Sequence, residues 1–273
     1  MKAEGRYVLA EGPVYDERTS TLYFADILEG KLHIKKGGDK VESISFGTYV
    51  TSVHLCDRED CVLATTRDEV YEVCISTGER RLVTSLSLPH TMRFNDGAVA
   101  PDGSLWMGTM KTDGPRSNEG SLYRIEEDGS FRTVSTGYGI ANGLAFIDNE
   151  TFIHTDSAYD VIRMYSYRNG NLECLKECTL KGECPDGLCL DTQGHILSAL
   201  WNRGEIAVIS INDFRETDRI KGFKTSLSSI ALSGDGRAFL TSAEDRSGCG
   251  LLYTIRTDYR KKEDYLWKTG QHW

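Results

Sequence analysis

Turn signals flanked by short apolar runs recur six times along this chain, at Asp16-Glu17, Asp57-Arg58, Asp102-Gly103, Asp148-Asn149, Asp191-Thr192 and Asp235-Gly236. The intervals between the aspartates are 41, 45, 46, 43 and 44 residues. A period in the low forties, filled with strand-like runs and lacking helical periodicity, predicts four-stranded propeller blades. The expected fold class is therefore all-β: a six-bladed β-propeller, with four-stranded antiparallel blades around a central channel. Blades in such a ring touch only their neighbours, so residues 1–273 are expected to form a single domain.

Blade one reads as strands at 12–15, 21–26, 31–35 and 41–46, with glycines in the turns. Blade three repeats this at 98–100, 104–109, 121–125 and 131–134, with Asp128-Gly129 as a hairpin turn. The ring must close by joining the chain ends, and segment 6–9 is the candidate to complete the last blade.

Composition bounds the function. At 39% hydrophobic residues the chain can fill a core, and no stretch approaches the roughly 20 apolar residues of a membrane helix. The first residues carry no apolar run of signal-peptide length, which points to a cytoplasmic location. A formal charge of −9 argues against nucleic acid and against an anionic membrane surface, because both need clustered Lys and Arg. A small-molecule partner is expected, with the chain a monomer or weak homo-oligomer. The eight cysteines are expected to be free thiols. Cys174, Cys178, Cys184 and Cys189 cluster without a C-x-x-C pair, so they read as buried strand residues rather than as a zinc site. His54, His90, His154 and His195 show no ligand spacing and read as half-buried packing residues.

Aligned on the turns, the innermost strands begin with Glu11-Gly12, Ser52-Val53, Asn95-Asp96-Gly97, Asn142-Gly143, Asp186-Gly187 and Ser229-Ile230. Asn-Gly and Asp-Gly are common turn pairs, but their recurrence at one blade position places polar side chains around the channel axis. Glycine after the polar residue suits close approach of backbones. Glu11, Asn142 and Asp186 would offer two carboxylates and an amide carbonyl to one divalent metal. Such oxygen ligands favour Ca²⁺ first, with Mg²⁺ or Mn²⁺ next and Zn²⁺ a weaker alternative.

These residues sit in motifs that resemble the senescence marker protein (regucalcin), gluconolactonase and luciferin-regenerating-enzyme family. The motifs are Ala10-Glu11-Gly12-Pro13-Val14-Tyr15, Arg93-Phe94-Asn95-Asp96-Gly97, Pro101-Asp102-Gly103 with Gly108-Thr109-Met110, Ala141-Asn142-Gly143-Leu144 and Pro185-Asp186-Gly187-Leu188. The resemblance implies that Glu11, Asn142 and Asp186 hold the metal, that Arg93 and Asn95 contact substrate, and that the activity is hydrolysis of a sugar lactone. Family members often carry an acidic substrate contact in a longer loop after Gly-Thr-Met. Here that loop is 111–119, with Asp113 as the nearest match.

A lactone carbonyl must accept negative charge as water adds, which a bound cation assists. Asp186 could both ligate and act as general base, with Arg93 and Asn95 orienting hydroxyls or the oxyanion. Asp96 reads first as a backbone tie at its strand start, and Asp156 as either a supporting acid or a solvated rim residue. Loops 111–119 and 243–250 are the candidates for a lid. The alternatives are phosphoester or phosphofluoridate hydrolysis at the same metal, and a non-catalytic calcium-binding propeller. No G-x-S-x-G, Walker, G-x-G-x-x-G or H-E-x-x-H motif occurs.

Overall fold

Short β-branched and aromatic runs, each cut off by a Gly, Asp or Asn turn, pair locally with the next run, and this chain uses that arrangement throughout. The structure is a computed structural model and describes residues 1–38, 40–113, 117–224, 226–243 and 248–270. Strand β1 (Lys2–Tyr7) precedes blade one, which comprises β2 (Ala10–Asp16), β3 (Thr21–Asp26), β4 (Lys31–Lys36) and β5 (Glu42–Ser45). Blade two is β6 (Ser52–Leu55), β7 (Cys61–Thr65), β8 (Glu69–Cys74) and β9 (Arg80–Ser85). Blade three is β10 (Met92–Val99), β11 (Leu105–Lys111), β12 (Gly120–Ile125) and β13 (Phe131–Tyr138). Blade four is β14 (Ala141–Phe146), β15 (Thr151–Asp156), β16 (Val161–Arg168) and β17 (Asn171–Thr179). Blade five is β18 (Pro185–Leu190), β19 (His195–Leu200), β20 (Glu205–Ser210) and β21 (Glu216–Ile220). Blade six is β22 (Leu227–Leu232), β23 (Arg237–Ser242) and β24 (Gly250–Arg256), completed on its outer edge by β1.

All strand pairings are antiparallel, and each innermost strand contacts the next, from β2 through β6, β10, β14, β18 and β22 back to β2. The expected six-bladed propeller is the observed fold. The closing strand lies earlier than segment 6–9: β1 pairs from Lys2 to Tyr7, and only Leu9 adds an isolated bridge to Ala243. Tyr7 is buried and stacks edge-on against Phe24, which anchors that register. Blade three likewise opens at Met92 rather than 98, because Arg93 to Asp96 continue the strand instead of forming a turn.

A second closure comes from the C-terminal segment, which crosses the channel floor. Lys261 N–H donates to Ser233 O in blade six, and Lys262 Nζ donates to Phe146 O in blade four (3.0 Å). Lys261 Nζ donates to Tyr15 O in blade one, and Lys262 N–H reaches Leu190 O in blade five. Trp267 is fully buried in the core between blades two and three, and its Nε1 donates to Glu72 Oε1 at 2.9 Å.

The cysteine and histidine readings need correction. No disulfide joins the eight cysteines, but Cys174 is exposed and Cys178 half-buried, because β17 is an outer strand with one wet face, and Cys184 in the following loop and Cys189 in β18 are also half-buried. His54 and His154 are buried instead of half-buried, and His90 is exposed. Among the described residues, no helix is long and apolar enough to cross a membrane.

Candidate metal centre

Five of the six innermost strands carry a one-residue bulge where they begin. The register shifts between Glu11 and Val14, Phe94 and Gly97, Ala141 and Leu144, Pro185 and Leu188, and Leu227 and Ser229. Blade two pairs regularly from Ser52 onward, and like blade six, which presents Ser229, it offers neither an acid nor an amide there. A bulge re-aims the side chains beside it, so it directs Asn95, Asn142 and Asp186 toward the axis instead of along the sheet.

The glycines after these residues serve different ends. A Cβ on Gly187 would overlap Ser229 of blade six, and one on Gly143 would press on Asp186 O and Leu188 of blade five. Gly97 makes room within its own blade, against Trp106 and Met107. A Cβ on Gly12 would make only ordinary contact with Ser52, but its φ of +49° favours glycine.

The strand starts also stitch neighbouring blades together. Asn95 Nδ2 donates to Ala141 O (3.0 Å), Asn142 Nδ2 donates to Asp186 Oδ1, and Ser228 Oγ donates to Ala10 O (2.6 Å). In blade two, Ser52 Oγ lies 2.9 Å from His54 Nε2 and 2.8 Å from Thr65 Oγ1, a closed hydroxyl network that satisfies the position without charge.

Glu11, Asn142 and Asp186 are buried, as are Arg93 and Asn95. Burial, then repulsion from Asp96, pushes Glu11 up to about 8, against the opposing pull of the Gly12 N–H and Arg93. Asp186 is raised well above the usual carboxylate range by burial and by the charges of Glu11 and Asp96. Asp96 is pushed up to about 6 by burial, although its Oδ1 accepts the Gly97 N–H at 2.7 Å. Arg93 is lowered by burial and supported by Glu11, Tyr49 and Asp186, while its Nη1 donates to Asn95 Oδ1 (2.8 Å) and Phe94 O (2.9 Å).

Three mutually repelling carboxylates facing one guanidinium leave two negative charges when all are ionised. That excess, the hard oxygen donors and the low-dielectric setting fit a divalent cation. Among the described residues no three His, Cys, Asp or Glu side chains form a metal cluster by themselves, so the set depends on the Asn142 amide. Swapping its O and N positions would turn the oxygen inward.

Asp156 and Ser157, at the end of β15, support this amide. Asp156 accepts the Gly139 and Ile140 N–H groups (3.1 and 3.0 Å), fixing the turn before Ala141, and Ser157 Oγ accepts from Asn142 Nδ2 (3.0 Å). Asp156 is buried rather than a solvated rim residue. Asp113 is exposed beyond β11, and among the described residues no hydrogen bond or charge interaction ties it to the cluster. Residues 114–116 and 244–247 of the two lid candidates lie outside the described residues.

Comparison with known proteins matches this arrangement to a family. The sequence profile of the SMP-30/gluconolactonase/LRE-like region matches residues 9–244. The chain belongs to the SMP-30/gluconolactonase/LRE-like family. Within this SMP-30/gluconolactonase/LRE-like group it is 31% identical to the pentonolactonase of Haloferax volcanii, over 83% of this chain and 78% of that one. It is 30% identical to the 6-deoxy-6-sulfogluconolactonase of Pseudomonas putida, over 74% and 72%. The calcium-binding protein regucalcin of Agrobacterium tumefaciens superposes with a TM-score of 0.87 at 22% identity, covering 96% of this chain and 95% of that one.

Ser157, Tyr49 and the Ser52–His54–Thr65 network escaped the sequence reading. A usable signal existed: the second strand carries a threonine at or within two residues of its end in several blades, at Thr65, Thr109, Thr155 and Thr241, all buried.

Below the cluster lies a cavity of about 180 Å³, bounded above by Gly12, Asp96 and Ser229 and below by Lys261 to Tyr265. The C-terminal crossing thus forms its floor.

Proposed function

We propose that this chain is a divalent-metal-dependent hydrolase that opens a small sugar-acid lactone by attack of water. Glu11, Asn142 and Asp186 would hold the ion, with Ca²⁺ favoured over Mg²⁺, Mn²⁺ and Zn²⁺ by the all-oxygen donor set. The observation that carries the reading is the meeting, at the strand starts of three blades, of buried carboxylates whose charges raise Glu11 and Asp186 with a buried arginine. The lactonases among its relatives at about 30% identity support the same reaction class.

A divalent ion there supplies Lewis acidity, polarising an ester carbonyl or acidifying water. Asp186 would accept the proton of the attacking water, a role open to a carboxylate beside that water. Arg93 has Nη1 committed to Asn95 and Phe94, so its remaining N–H groups are those offered to the developing oxyanion or to sugar hydroxyls. Asn95, engaged by Arg93 on one side and Ala141 O on the other, holds that guanidinium in place. Asp96 adds negative potential from beneath, and Asp156 acts through the turn that carries Asn142.

The test is hydrolysis of several sugar lactones followed by pH indicator, using chelated protein before and after adding Ca²⁺, Mn²⁺, Mg²⁺ or Zn²⁺. Metal-restored turnover, lost at least a hundredfold in Asp186→Ala with circular dichroism unchanged, is expected. Tight ion binding with no turnover of lactones or phosphoesters would replace this reading with that of a calcium-binding propeller.

A further inference from the structure

Blade two holds three cysteines that the sequence reading did not connect. Cys61 at the start of β7 stands directly opposite Cys74 at the end of β8. The Ile75 N–H donates to Asp60 O at 2.8 Å, one residue outside the pair on both strands. That bond marks Cys61 and Cys74 as a non-hydrogen-bonded pair, the kind whose side chains leave the same face of the sheet with Cα atoms about 4.5 Å apart. A disulfide spans Cα separations of roughly 4.4–6.8 Å. Cys56, bridged to Trp267 through its backbone, shares the same apolar core with Cys61.

The two thiols of the pair have different surroundings. Cys61 is 3% exposed and packed among apolar side chains. Cys74 is 9% exposed, next to the turn into β9, with its Sγ 3.2 Å from Ser76 Oγ. Hydrogen bonds from Ser76 and Thr77 pull the Cys74 thiol below its ordinary value, so it carries more thiolate than a plain cysteine. An oxidant arriving from solvent meets Cys74 first and finds Cys61 waiting behind it.

We propose that Cys61 and Cys74 are a peroxide-oxidisable thiol pair that closes into a cross-strand disulfide, a modification site in blade two apart from the channel cluster. The Cys74 thiolate attacks a hydroperoxide, forming an S–O bond and breaking O–O, which yields a sulfenic acid and hydroxide. Cys74 then turns from Ser76 toward Cys61, whose sulfur attacks it. The S–S bond forms as S–O breaks, and the departing hydroxide takes the Cys61 proton as water. Two thiols lose two electrons in total and hydrogen peroxide is reduced to two waters.

The sequence makes the test direct, because trypsin separates the three cysteines into peptides 41–58, 59–67 and 68–80. The reduced full-length protein is treated with hydrogen peroxide, alkylated under denaturing conditions, digested and mapped by mass spectrometry. The expected product is peptide 59–67 joined to 68–80, two hydrogens lighter than their sum and released by dithiothreitol. Cys74→Ser should abolish it and Cys56→Ser should retain it, although the map of the unaltered chain carries the test without any variant. The proposal is overturned by a Cys56–Cys61 link formed in preference. It is equally overturned if Cys74 over-oxidises unlinked, or if no link forms at doses that oxidise the exposed Cys174.

Discussion

Asn142 donates through Nδ2 to Asp186 Oδ1, so two residues 44 positions apart, on the innermost strands of blades four and five, share one hydrogen bond at the channel axis. The amide partly offsets the repulsion that Glu11 and Asp96 impose on Asp186. The cluster is thus held together by the propeller while its own charges work against it.

The first prediction concerns pH. Glu11 and Asp186 have folded-state proton affinities raised above the ordinary carboxylate range, so the folded state retains protons that the unfolded state has released. Stability of the chelated protein should therefore fall as pH rises above the ordinary carboxylate values, until the raised group itself ionises. Buried His54 and His154, lowered by burial to about 4 and about 3, act in the opposite sense below their ordinary value of 6.5. The clean window is therefore pH 6.5 to 8, where one retained proton is worth about 1.4 kcal/mol per pH unit. Urea denaturation should show that decline in the chelated protein and a smaller slope in Glu11→Gln; a stability that rises across the window contradicts the cluster.

Asp156 tests how the turn supports the amide. Asp156→Ala leaves the buried Gly139 N–H and the half-buried Ile140 N–H without their acceptor. A loss on the order of 2–3 kcal/mol is expected, together with metal affinity weaker by roughly tenfold. Equal metal affinity at reduced stability would confine Asp156 to the fold.

Gly187 tests the close approach of blades five and six. Gly187→Ala should cost about 1–3 kcal/mol, because its methyl overlaps Ser229. Combining it with Ser229→Gly should recover part of that loss in thermal melts, whereas strict additivity would show that the two positions do not press on one another.

Trp267 tests the channel floor. Its indole is fully buried and bonded to Glu72, so Trp267→Ala should cost about 3–5 kcal/mol, and Trp267→Phe distinctly less. If the C-terminal crossing also seals the cavity, Cys189, which lines it, should alkylate faster in Trp267→Ala under native conditions. An unchanged rate at Cys189 would mean that the floor holds without that anchor.

The sequence by itself determined the number of blades and the residues at the strand starts, because both are local patterns. Turn dipeptides at a 41–46-residue period need no knowledge of what lies across the channel. The same pattern located Glu11, Asn95, Asn142 and Asp186. Tertiary structure decided what those residues do to one another. Bulges, which are mismatches between two strands, aim them inward, and ring closure brings Glu11 near enough to raise the proton affinity of Asp186. It also decided that Asp156 props up a turn, that Asp113 stands apart, and that Lys261 to Trp267 floor the channel. These depend on long-range packing, where a side chain's surroundings come from segments that share no sequence pattern with it.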